Sequence, residues 1–215
     1  MPSGAFIKFR HNLNDVERLI KAHNELSPNH RGKRALGHIN RSGVIMLCAA
    51  WEVYCEEALV ECVKYIAANL NEPNQLPTPV KKHLSKLVKD AKVETKPMEL
   101  AGDGWRNLYI AYCQQESKSV NSPKTTVLEP LYKRFIGLSE LSNFWAVGGQ
   151  YITGFVATRG DIAHNGRSAE YVKINQLIEY KDAILATAKE MDNQLCTYTF
   201  SLLPAHTRQP WRRMP

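Results

Sequence analysis

RSGVIMLCAAWEVYCEEALVECVKYIAANL, residues 41–70, reads as one long helix, and that reading decides the fold class. Its first half, VIMLCAAW, is apolar on every side, whereas the second half separates Glu52, Glu56, Glu57, Glu61 and Lys64 from Val53, Ala58, Leu59, Cys62 and Ile66. A helix with this pattern is buried at one end and half exposed at the other, so it needs other helices around it. Cys48, Cys55 and Cys62 recur every seven residues along it. At 1.5 Å rise per residue, neighbouring members stand about 10 Å apart, too far to share one zinc ion. They are expected to be buried thiols facing another helix.

Towards the N-terminus, Asn14 to Leu26 carries Val16, Leu19, Ile20 and His23 at helical spacing, with Asp15 and Glu17 near the positive helix end and Asn12 or Asn14 as cap. Pro28 and the stretch Gly32 to Gly37 break that pattern into a basic loop. Towards the C-terminus, residues 71–140 predict a long irregular insertion. Within it, Pro79 opens a lysine-faced helix with a stripe of Leu84, Leu87, Val88 and Ala91, and shorter helices run near 105–115 and 129–135. Two further helices follow: one from about Tyr151 to Ala163, stopped by Asn165-Gly166, and a long one capped by Ser168 and running to about Phe200. No alternating run outweighs the helical period, so the class is all-α, a helical bundle in a single domain over 1–203. Pro204 is expected to release a basic tail over 204–215.

The chain has 215 residues, 44% hydrophobic and 23% charged, which is ample for a real core and excludes bulk disorder and disulfide-stapled miniproteins. Its longest uncharged stretch before a carboxylate, Ser42 to Trp51, falls far short of the roughly 18 residues a membrane span needs. With no signal-peptide pattern in MPSGAFIKFRHN, the expected compartment is the cytoplasm, with no membrane partner. The net charge of +7 points to a polyanion. Part of that surplus sits in Arg31, Lys33, Arg34 and Arg41, and part in the tail as Arg208, Arg212 and Arg213 around Trp211. These seven cations are the candidate RNA-binding residues, with the Trp211 indole available to stack on a base. A solvated loop and a frayed tail are the plain alternative.

CxxC, HExxH, Walker, GxGxxG and GxSxG patterns are all missing, so neither a metal nor a cofactor is expected. What remains is FVATRGDIAHNG, residues 155–166, which sets Arg159 and His164 five apart with Asp161 between. Arginine grips a phosphate with a forked pair of donors, and histidine exchanges a proton near neutral pH. RNA supplies its own nucleophile, the 2′-hydroxyl, so this pair can cleave it without a metal. The spacing alone is weak: with 12 Arg and 7 His, Arg18 with His23 and Arg31 with His38 are rivals.

Context separates them. TRGDIAHNG resembles the RN-x-x-AHG signature of HEPN domains, and AAWEVYCEEALVE at 49–61 resembles the AWE-x-x-x-E helix of their RiboL-PSP branch, in the family's order. The resemblance spans roughly Asp15 to Phe200 and selects Arg159 and His164. It implies an α-helical, dimeric, metal-independent endoribonuclease of toxin–antitoxin, abortive-infection or RNA-processing systems. The partners it implies are RNA, a second copy of the chain, and an antitoxin or other defence protein. Two copies of Arg159 and His164 facing across a two-fold axis would supply a general base, a general acid and two phosphate clamps. Glu52 is a candidate partner for Arg159, or else a glutamate facing solvent. The family's polar residue after the arginine is Gly160 here; Asp161 is the candidate substitute, and a catalytically silent scaffold binding protein, nucleotide or RNA is the alternative. On a purely structural reading, His164 meets the negative end of its helix and Arg159 pairs with an acid.

Overall fold

The structure, a computed structural model, describes residues 1–27 and 36–215. Arg31, Lys33 and Arg34 lie outside the described residues, as does the rival pair built on Arg31. The described residues form seven α-helices and no strand: α1 (Gly4–Leu26), α2 (Gly37–Asn69), α3 (Thr78–Lys89), α4 (Gly104–Ser117), α5 (Thr125–Ile136), α6 (Gly148–Asn165) and α7 (Ile174–Ser201). The all-α bundle expected from the sequence is the fold. The segment between α2 and the last pair holds α3, α4 and α5, joined by turns and 3-10 helices.

α2 is the centre of the bundle, packed by α1, α4, α5, α6 and α7, while α3 sits outside on α5. This is why its apolar residues go all the way round. Trp51, Tyr54 and Leu59 are fully buried, as are Cys48, Cys55 and Cys62, whose thiols remain free. Three buried aromatic tips are paired: Trp51 Nε1 donates to Pro123 O at 3.0 Å, Tyr54 OH to Ala188 O at 2.9 Å and Tyr132 OH to Cys55 O at 2.7 Å. α2 and α7 approach closely at Gly43, where an added Cβ would lie 2.4 Å from a methyl of Leu177.

Two ends of the chain differ from expectation. α1 starts at Gly4 rather than Asn14, because its first turn is closed by the Ser3 cap and by a carboxylate far away in sequence. Ser3 Oγ accepts from Phe6 N, and the Glu61 carboxylate of α2 accepts from Gly4 N and Ala5 N at 3.0 Å each. Ala5, Phe6 and Phe9 then extend its buried face. The tail does not hang free. Trp211 is 8% exposed; its Nε1 donates to Asp192 O at 3.1 Å, and Met214 N donates to Asn193 Oδ1 at 2.7 Å. The last helix also begins later than Ser168, which lies in a 3-10 turn between α6 and α7.

Candidate active site on α2 and α6

α6 carries FVATRGDIAHN as continuous helix and ends where Gly166 takes φ +54°, a conformation few side chains tolerate. Tyr180 anchors it to α7, 5.1 Å between ring centroids from Phe155 and 3.3 Å from the Thr158 hydroxyl. Arg159 projects from this helix over α2. Its Nη2 lies 4.0 Å from Glu52 Oε2, with 30% and 20% of the two side chains exposed. That distance makes an ion pair without a hydrogen bond. Glu52 Oε2 is buried with no hydrogen-bond partner. Burial holds the Glu52 carboxyl above its usual range, and the Arg159 charge pulls it back.

The neighbours of Glu52 on the same stripe define the chemistry. One turn before it, burial pushes the Cys48 thiol up to about 12 despite Arg159, so it stays neutral and is no nucleophile. One turn after it, Glu56 is pushed up to about 7, by burial first and then by Glu52 and Glu57, against Lys118. Sequence reasoning passed over Glu56, although the second glutamate of its own AWE-x-x-x-E pattern marked it. Among the described residues, no group of three His, Cys, Asp or Glu side chains could hold a metal ion.

The remaining candidates fall in different places. Asp161 turns away to a structural task, accepting from Asn165 Nδ2 at 2.7 Å and from Glu170 N at 2.9 Å, bonds that lower its pKa and tie the end of α6 to the segment leading into α7. His164 is exposed in the last turn of α6. Five residues of helix put it about 140° around the axis from Arg159, so one chain does not converge the two side chains on one point. Gly160 faces open space; a Cβ there would meet nothing within 4 Å. Arg41 lies on the same α2–α6 seam, beside Arg167.

Arg208, Arg212 and Arg213 are exposed but remote from this seam. Arg208 O accepts from Tyr65 OH, and Tyr65 stands 13 residues past Glu52, about 20 Å along α2. The buried Trp211 indole cannot stack on a base, which corrects the expectation for the tail. The rival Arg18 is exposed and paired with Asp15 at 3.2 Å, while His23 is buried.

No helix among the described residues is long and apolar enough to cross a membrane. No curated protein matches the chain, and no solved structure does. A family model, RiboL-PSP-HEPN, matches residues 8–197, which takes in α2, α6 and nearly all of α7 with every residue of the Arg159 and Glu52 pair. The chain belongs to the RiboL-PSP-HEPN family, a family of HEPN domains.

Proposed function

We propose that this chain is a metal-independent endoribonuclease of HEPN type, acting in the cytoplasm as a homodimer. The observation that carries the reading is the half-exposed Arg159 guanidinium, held on α6 beside the orphaned Glu52 oxygen, with an exposed His164 a turn and a half beyond. One His164 imidazole takes the proton of the RNA 2′-hydroxyl as its oxygen attacks phosphorus. The partner copy's imidazolium gives a proton to the departing 5′-oxygen. The P–O5′ bond breaks, leaving a 2′,3′-cyclic phosphate and a 5′-hydroxyl, while the two Arg159 side chains hold the phosphorane charge. A defence role of toxin–antitoxin or abortive-infection type, with an antitoxin as partner, fits an RNA-cutting dimer.

Gly160 favours a second reading, a silent HEPN scaffold that binds RNA, nucleotide or a partner protein, since no side chain follows Arg159 to orient it. Incubating the protein with RNA in EDTA beside Arg159→Ala and His164→Ala separates the two. Cleavage lost in both variants supports the nuclease. RNA binding with a steep salt dependence and no cutting supports the scaffold, and undiminished cutting in both variants removes the assigned site.

A further inference from the structure

Along the α2–α6 seam, past Ile162, an open cleft of about 520 Å³ is lined by His38, Arg41, Ser42, Met46, Ile162 and Arg167. Among the described residues its lining contains two arginines, a histidine and a hydroxyl, and no carboxylate. Ile45, Met46 and Ile162 supply its apolar lining. Tyr171, 57% exposed, stands near Arg41 of that lining. Gly37 brings that ring and a cation together: the point where its Cβ would stand is 3.1 Å from the Tyr171 ring and 3.2 Å from Arg41 Nη1. A Cβ at 37 would require both side chains to give slightly.

We infer that this cleft is a substrate subsite for single-stranded RNA, in which Arg41 and Arg167 hold a backbone phosphate and Tyr171 stacks on the adjacent base. Forked guanidinium donors suit a phosphodiester, an aromatic face beside them suits any base, and the absence of an acid on the lining disfavours a basic peptide. Its place fits the proposed chemistry. Arg41 lies 11 residues before Glu52 on α2, about 16 Å along the axis, so a strand with its scissile phosphate on Arg159 reaches the cleft within a few nucleotides. The assignment of this cleft as a substrate subsite rests on the nuclease reading; RNA binding in it does not. It also gives Arg41 a position for the RNA contact that the sequence suggested and adds Arg167 and Tyr171, which local sequence did not mark.

The experiment measures affinity of the full chain carrying His164→Ala for a labelled single-stranded RNA 12-mer by anisotropy across a salt series. Arg41→Ala with Arg167→Ala should weaken binding at least tenfold and lower the salt slope by about 0.7, the value for one phosphate contact on a single strand. Tyr171→Ala should weaken it about fivefold or more, with the slope unchanged. Lys82→Ala with Lys86→Ala, which removes two charges from the exposed face of α3, is the control. Equal losses in the control and the arginine variant, or no loss in Arg167→Glu alone, overturn the subsite; Arg167 is exposed, so its replacement leaves the fold intact. An acidic peptide that competes while RNA affinity ignores these residues overturns it too, in favour of a protein partner. Binding that depends on them in a wild-type chain that never cuts RNA leaves the cleft standing and removes only the nuclease.

Discussion

Glu52 Oε2 and Arg159 Nη2 face each other at 4.0 Å across the α2–α6 seam, and that oxygen has no hydrogen bond although it is buried. A carboxylate in this position depends on the arginine for compensation, yet the arginine is not locked by it. The guanidinium is therefore preplaced and still free to take a phosphate in the fork that Glu52 leaves open.

That dependence is measurable as a coupling. Arg159→Ala should lower stability by about 1 kcal/mol, because it strands a buried carboxylate, and Glu52→Gln in the same chain should restore most of the loss. The stranded carboxyl relieves itself by taking up a proton, so the loss should be larger at pH 8 than at pH 5. Urea unfolding of the two single variants and the double variant gives the coupling energy. Purely additive effects would mean that the two side chains do not interact.

Asp192 offers a pH test away from the site. It is fully buried, and burial pushes it up to about 6, against the bonds it accepts from the Ser3 backbone N–H and hydroxyl. A carboxyl with its folded pKa raised holds its proton more tightly when folded than when unfolded. Stability from this group is therefore present below the unfolded value near 4 and is lost as pH rises through about 6. The loss should be about 2 to 3 kcal/mol, and Glu56, raised to about 7, extends the decline at smaller amplitude because it is half exposed. Asp192→Asn should flatten the curve between pH 4 and 6 in thermal melts. An unchanged slope would show that Asp192 does not titrate in that range.

The tail prediction follows from the same residue's backbone. Trp211 is packed at 8% exposure with its indole N–H on Asp192 O, so Trp211→Ala should cost about 3 kcal/mol. A frayed tail would tolerate the change without effect in calorimetry. With Trp211 intact, Arg208→Ala should leave stability within about 0.5 kcal/mol, since that side chain is exposed.

These residues also show where reading the chain succeeds and where it stops. The α2 pattern was legible because all-round apolarity is local information, and Arg159 was legible because it lies in a motif. The start of α1 was not, since its cap includes Glu61, which lies 57 residues on. The docking of Trp211 depends on a carbonyl 19 residues back, on a face of α7 that only packing defines. The pairing of Glu52 with Arg159 required the register between α2 and α6, which no single helix encodes. Arg167 stood in a turn with no pattern of its own, and only the cleft gives it meaning.

Gly160 carries the sharpest prediction about activity. It sits inside α6 with ordinary helical geometry and open space beyond its missing Cβ, so replacement meets no obstacle. Gly160→Ala should stabilise the protein by about 0.5 to 1 kcal/mol through helix propensity alone, without changing cleavage. Gly160→Asn places a polar side chain directly after Arg159, as the resembled HEPN signature has it. If the missing group is what limits the chemistry, this variant should raise the cleavage rate about tenfold or more over Gly160→Ala at equal RNA affinity, the scale of one placed hydrogen bond in a transition state. Single-turnover cleavage of one labelled RNA by both variants reads the difference. Equal rates would mean that Arg159 is oriented from elsewhere, and Glu52 is the side chain in place to do it.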